Sequence, residues 1–246
     1  MNNLIKSVET IARNAGEMIK SHITNRSEFG IETKGLNDFV TEIDKKSELY
    51  IVTELEKLIP DAGFIAEENT SSKIGKEFTW IIDPLDGTTN FIHGFFPCSV
   101  SIGLRQNDEI VLGVVYEIGL DECFSAWKGG GAWLNGKQIK VSETKKIKSS
   151  LLGTGFPYHD FGRLQKYMIM LQELMMNSHG IRRPGSAAAD MAYVACGRFD
   201  AFFEYDLKPY DVAAGIILVK EAGGKICDFS GGENYLFGKE IIAANS

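Results

Sequence analysis

The chain is short of the ligands that soft metals and disulfide chemistry need. Its 246 residues hold four cysteines and four histidines, and neither set is clustered. Cys98, Cys123, Cys196 and Cys227 form no C-x-x-C pair, which argues against a zinc knuckle or a disulfide framework and leaves them as small buried hydrophobes. His22, His93, His159 and His179 are equally scattered, with no H-E-x-x-H, so any metal used here should be a hard, oxygen-loving one. No apolar run is long enough to span a bilayer. The opening stretch MNNLIKSVETIARNAGEMIK carries charges throughout and lacks an apolar core of signal-peptide length. No basic run stands out against a net charge of -7, which makes nucleic acid a poor main partner. There is no internal repeat. These absences describe a soluble, cytoplasmic protein without a membrane partner.

What is present is ordinary globular composition, 44% hydrophobic and 24% charged, in a length that suits one large domain or two modest ones. Leu4, Ile5, Val8, Ile11, Ala12, Ala15, Met18 and Ile19 recur at helical spacing. A second helix is expected from Thr41 to Leu58, with Ile43, Ser47, Tyr50, Ile51, Leu55 and Leu58 inward and Pro60 ending it. Strands are expected at Phe64–Ala66 and Thr79–Ile82. From Ser99 to Val141 short alternating runs broken by turn residues read as an antiparallel meander. Beyond the charged stretch at 143–148, helices are expected at Leu164–Met175, Ser186–Cys196 and Asp211–Ala222, and a strand at Phe199–Glu204. The pattern implies layered helices and sheets with a seam near residues 143–150, dividing residues 1–147 from 148–246.

Acidic residues sit at strand ends and helix starts in four places. Asp44 in VTEID and Asp211 in KPYDVAAG both read as helix-start caps, and Glu67-Glu68 reads as a solvated loop. The segment WIIDPLDGTTNF is different. Pro84 is expected to stop strand pairing directly after Asp83, Gly87 permits a tight turn, and Thr88 and Thr89 start the next helix. Two carboxylates on one turn repel unless a cation lies between them. The neighbouring Gly87 and Thr88 amides, at a helix N-terminus, suit a phosphate oxygen. Magnesium bridging carboxylate and phosphate answers both requirements.

These motifs resemble the inositol monophosphatase family, part of the magnesium-dependent, lithium-inhibited phosphatase superfamily. WIIDPLDGTTNF resembles the family's first signature and YDVAAGIILVKEAGG its second, while NDFVTEID, AEEN and RRPGSAAADMAYVACGRFDAFFE match in order between and before them. The resemblance covers essentially the whole chain and implies an α/β layered (α-β-α-β-α), carbohydrate-phosphatase-like fold. A largely antiparallel N-terminal sheet would be followed by a smaller mixed sheet with helices. It also implies that Glu67, Asp83 and the Leu85 carbonyl hold one Mg2+, that Asp83, Asp86 and Asp211 hold a second, and that a third ion sits near Glu67, with Mn2+ a possible substitute. Thr88, oriented by Asp44, would position the attacking water, with Glu67 sharing in catalysis. Gly87 and Thr88 would grip the phosphate, and Gly185, Ser186, Ala187 and Glu204 would line the alcohol pocket, with Asp86 and Asp211 reaching substrate hydroxyls. Lys34 would mark a mobile loop over the metals.

The implied activity is hydrolysis of small phosphate monoesters by metal-activated water, inositol monophosphate first. No covalent phosphoenzyme is implied, because no cysteine or histidine falls within a matching motif. The same mechanism on fructose 1,6-bisphosphate, the 2'-phosphate of NADP or 3'-phosphoadenosine phosphates is the alternative, and a regulatory, partner-binding protein is an alternative of another class. Glu204 favours a polyhydroxylated alcohol over a second phosphate. Arg182 and Arg183 read as surface charges, with an extra-phosphate role only if they point inward. Tyr210 stands where many members carry tryptophan, and the stretch between Asn69 and Phe78 is short, as in compact bacterial members. Apolar residues on more than one face of the Met168–Met176 helix, together with the resemblance, suggest a homodimer.

Overall fold

A computed structural model describes residues 1–22, 31–35 and 38–245, without the side chains of residues 31–41. The first helical repeat folds as expected into α1 (Asn2–Lys20), which buries Ile5, Val8, Ile11, Ala12, Ala15 and Ile19 along one stripe. Beside it lies α2 (Glu42–Leu58), preceded by the small hairpin β1 (Ile31–Gly35) and β2 (Asp38–Thr41). Lys34 falls within β1, and its side chain lies outside the described residues.

The two helices cover one face of a seven-stranded sheet. Its strands are β3 (Gly63–Ala66), β4 (Phe78–Asp86), β5 (Ser99–Gln106), β6 (Glu109–Glu117), β7 (Glu122–Trp127), β8 (Gly131–Leu134) and β9 (Lys137–Ile139), in that spatial order. Only the β3–β4 pair is parallel; the rest is the expected meander. Strand alternation sends Trp80 and Ile82 towards α1 and α2, and Ile81 to the opposite face.

That opposite face meets α5 (Ala187–Ala195) and α6 (Pro209–Glu221), which also cover a second sheet. The second sheet runs β11 (Gly180–Arg182), β10 (Leu151–Thr154), β12 (Ala201–Tyr205), β14 (Glu240–Ala244) and β13 (Lys225–Cys227), with parallel and antiparallel pairs mixed. Its outer face packs on α4 (Leu164–Asn177) through Tyr167 and Leu171 against Leu152, Phe203 and Tyr205. The layers are therefore α-β-α-β-α. One apolar cluster joins Ile81, Val115 and Phe124 of the first sheet to Met191, Ile217, Phe202 and Ile241, so it spans the stretch at 143–150.

Close approach of α6 to the first sheet depends on small residues. A Cβ on Gly113 would lie 2.6 Å from Ile217 Cγ2 and 2.7 Å from the Ala214 carbonyl oxygen. Several local expectations are corrected. Strand pairing does not stop at Pro84: β4 continues to Asp86, with Asp83 opposite Ser101 and Asp86 opposite Ser99. Three steps on one strand against two on its neighbour make a bulge, the position in which a sheet tolerates proline. The helix after it, α3 (Thr88–His93), is capped by Gly87 at φ 95° rather than by a threonine side chain. Asp211 stands at the third helical position of α6, behind the cap residue Lys208. The strand expected at Phe199–Glu204 runs from Ala201 to Tyr205. Cys98 and Cys123 are buried, but Cys196 and Cys227 are only half-buried. Among the described residues no helix is long and apolar enough to cross a membrane.

Candidate active site

The β4 bulge turns the chain so that Asp83, Leu85, Asp86, Gly87 and Thr88 line one wall of a cavity of about 160 Å³. Glu67, one residue past β3, lies on the same wall because β3 is the parallel neighbour of β4. Its loop is tied down by Glu48, a residue that sequence reasoning missed. The Glu48 carboxylate, fully buried on α2, accepts the Glu68 amide at 2.7 Å and the Thr70 amide at 2.9 Å. The signal for it lay in an acid four residues after Asp44 on the buried face of a helix.

Asp211 enters from the first turn of α6, where its Oδ2 accepts the Lys208 amide at 2.7 Å. Asp83 Oδ1 accepts the Leu85 amide at 3.0 Å, and Glu67, Asp86 and Asp211 lie close enough for their charges to act on it. Burial pushes Asp83 well above the usual carboxylate range, and the charges of Glu67, Asp86 and Asp211 add to the push. Burial lifts Asp211 to about 7, with the Asp86 charge second. Asp86 rises to about 6 through burial, opposed by hydrogen bonds from the Ser186 hydroxyl and the Ala188 and Ala187 amides.

Those donors define how Asp86 is held. Ser186 Oγ donates to Asp86 Oδ2 at 2.6 Å and the Ala188 amide at 2.8 Å, while Ser99 Oγ lies 2.9 Å behind Ser186 Oγ. Ser186 is 1% exposed. It was expected to line the alcohol pocket; its hydroxyl instead faces Asp86 and caps α5, while its neighbours Gly185 and Ala187 do line the cavity. Asn90 fixes this segment against α3 by donating to the Pro97 and Pro184 carbonyls at 2.9 and 2.8 Å.

Thr88 Oγ1 lies 3.0 Å from the Leu85 carbonyl oxygen and 3.4 Å from Asp44 Oδ1. With one proton it serves one of them at a time. Asp44 is 1% exposed, so the helix-cap reading of this residue is incomplete: it faces Thr88 beneath the cavity floor.

The donor set suits a hard cation. It consists of carboxylates and one carbonyl, the oxygen ligands such an ion prefers, and burying these acids together leaves like charges that only a cation would offset. Among the described residues no three acidic, cysteine or histidine side chains are drawn together tightly enough to grip an ion; Asp86 and Asp211 each turn Oδ2 onto a protein donor.

The far wall holds Glu204, whose strand alternation points it with Phe202 into the middle layer while Phe203 and Tyr205 face α4. Burial raises its carboxyl well above the usual range, with Asp211 and Asp86 adding and Arg183 opposing. Arg182 is exposed, as expected, but Arg183 lines the cavity beside Phe156, Tyr158 and His159. The segment carrying these rim residues is anchored by Asp206, which accepts the His159 and Asp160 amides at 2.8 and 3.0 Å. Phe156, Tyr158 and His159 fall in none of the matching motifs, and Arg183, which does, was read as a surface charge.

A five-layer α/β protein with carboxylates meeting a glycine–threonine turn at the cavity wall is the arrangement of a family of phosphatases that is generally metal-dependent. The chain belongs to the inositol monophosphatase family, which it matches over residues 1–246. It is 42% identical over 240 residues to the Nus factor SuhB of Pseudomonas aeruginosa, covering 96% of this chain and 89% of that one. It is 40% identical over 243 residues to an inositol-1-monophosphatase of Rhizobium meliloti, with coverages of 98% and 88%. The extragenic suppressor protein suhB of Bartonella henselae superposes with a TM-score of 0.95 at 39% identity, over 99% of this chain and 94% of that one. The Thermotoga maritima IMPase gives 0.88 at 37% identity, over 100% and 92%.

Proposed function

We propose that the protein hydrolyses phosphate monoesters of small polyols, inositol monophosphate first, with magnesium ions bound between its carboxylates. Glu67, Asp83 and the Leu85 carbonyl would hold one ion and Asp83, Asp86 and Asp211 a second, with a third near Glu67; Mn2+ would substitute. When bound, such ions neutralise phosphate oxygens, acidify a water and stabilise the departing alkoxide. The chain's own residues supply the rest. The Thr88 hydroxyl, passing its hydrogen bond from Leu85 to Asp44, orients the attacking water and gives its proton a route to a buried carboxylate. The amides of Gly87 and Thr88 hold phosphate oxygens. Glu204, with Asp86 and Asp211, accepts hydrogen bonds from the alcohol's hydroxyls.

The observation that carries this reading is the meeting of Glu67, Asp83, Asp86 and Asp211 in one cavity whose lining also presents Gly87 and Thr88. Phosphate release from inositol 1-phosphate, NADP, fructose 1,6-bisphosphate and 3'-phosphoadenosine 5'-phosphate, with and without magnesium, tests it. Magnesium-dependent release is expected, and lithium should depress it; no release from any of them overturns the reading. Asp83→Asn should cost on the order of 100-fold or more in kcat/KM.

A second reading follows from relatives named Nus factor SuhB, among them the Pseudomonas aeruginosa protein. The chain would then act by binding a protein partner beside its catalysis. Recovery of one defined partner from the native host by the tagged Asp83→Asn protein would support it, and recovery of none would count against it.

A further inference from the structure

The Glu204 carboxyl lines the cavity, and among the described residues no hydrogen bond or ion pair fixes either of its oxygens. Both are open to a ligand, so the place of the carboxyl is set by what it packs against. That surface is Gly155, the residue following β10, whose Thr154 stands opposite Phe203 of β12. A Cβ on Gly155 would lie 2.0 Å from Glu204 Cδ, Oε1 and Oε2 alike, so the carboxyl lies flat against the bare glycine backbone. The φ of Gly155 is outside the left-handed region, so its conformation does not call for glycine; the approach of Glu204 does. Gly155 is pinned in turn from the outer face of the sheet. There the Tyr167 hydroxyl of α4, 4% exposed, donates to the Gly155 carbonyl at 2.8 Å. It also hydrogen-bonds the Thr154 hydroxyl, which lies 2.9 Å from the Phe203 carbonyl oxygen.

We propose that Gly155 and Tyr167 are positioning residues that set which alcohol the site prefers. Tyr167 holds the Gly155 backbone, and the open face of Gly155 seats the Glu204 carboxyl where the ring hydroxyls of a polyol ester meet it. This rests on the phosphatase reading with Glu204 as hydroxyl acceptor, and it names what fixes that acceptor. A methyl group at position 155 would meet the far end of a flexible side chain rather than backbone, so the carboxyl swings aside while the fold stands. The loss then falls on recognition of hydroxyls.

The test compares inositol 1-phosphate with cyclohexyl phosphate, the same ring ester without hydroxyls, with magnesium present. The wild type should favour the inositol ester in kcat/KM by more than about tenfold. Gly155→Ala should lower that ratio about tenfold and Tyr167→Phe about threefold, both chiefly through KM for inositol 1-phosphate. In a Glu204→Ala background, Gly155→Ala should leave the ratio where Glu204→Ala alone puts it, because no carboxyl remains to displace. A ratio that Gly155→Ala does not change, or that it lowers as much again in the Glu204→Ala background, overturns the proposal alone. Should Gly155→Ala not fold, Tyr167→Phe decides, and an unchanged ratio there overturns it equally. A wild type that hydrolyses both esters without distinguishing them also overturns it and leaves the metal-dependent chemistry in place. Release from neither ester overturns the polyol-ester reading and this proposal with it.

Discussion

Ser186 performs two tasks with one hydroxyl. It accepts the Ala189 amide at 3.3 Å as the cap of α5 and donates to Asp86 at 2.6 Å. Ser186→Ala should therefore lower helix stability by about 1 kcal/mol and weaken magnesium binding by about 10–100-fold, read separately by thermal denaturation of the metal-free protein and by calorimetric titration. The carboxyls themselves make stability depend on pH. Asp86 at about 6, Asp211 at about 7 and the raised Asp83 keep protons that an unfolded chain releases near pH 4. The folded state thus binds more protons across this window, and metal-free stability falls as pH rises through it. A divalent cation should reverse this, raising Tm more at pH 8 than at pH 5. At 100 times Kd the gain is about 2.7 kcal/mol, about 5–10 °C for a chain of this size.

At the scale of elements, the site is set by where β4 breaks and how closely α6 approaches. Gly113→Val would drive a Cβ, and the methyl groups beyond it, into the space held by Ile217 and the Ala214 carbonyl, which a Cβ alone already overlaps. The expected cost is about 1–3 kcal/mol, seen as a lower midpoint of denaturant unfolding, with a displaced Asp211 and weaker metal binding following from it. The elements that reading the sequence located well are those with long periodic signals: α1, α2, the β5–β9 meander and α6. The signature acids were legible too, because proline, glycine and threonine around Asp83 and Asp86 narrow what that turn can be. Glu48 and Asp206 were not, and for Arg183 the sequence left open whether it points inward. Each acts on a residue far away in the chain, 20 positions or more, and a single sequence carries no local mark of such a partnership. The direction of Ser186 was hidden for a related reason: whether a cap residue faces a cavity or a neighbouring carboxylate depends on how two layers dock.

At the scale of the molecule, α4 leaves Met168, Ile169, Met175 and Met176 between 49% and 65% exposed. We infer that this face pairs with a second copy of the chain. Light scattering should return twice the 27.2 kDa chain mass, and Met175→Glu with Ile169→Glu should return it to one. The layered packing that buries the rest leaves no other helix in the described residues with so many large apolar side chains exposed together.

The order of the second sheet has a consequence in time. β14 lies between β12 and β13, and it supplies the pairing that β13 makes in the sheet. During synthesis β13 therefore leaves the ribosome before its partner exists, and β12 emerges with one edge bare. Glu204 is carried on that waiting strand, in register with Ile241. The acidic wall waits for Ser186, Ala188 and Asp211, and the opposite wall stays unsupported until residues 240–244 have arrived. Ribosome-bound intermediates should thus lack a closed cavity until the last strand is in place, a vessel finished only at its rim.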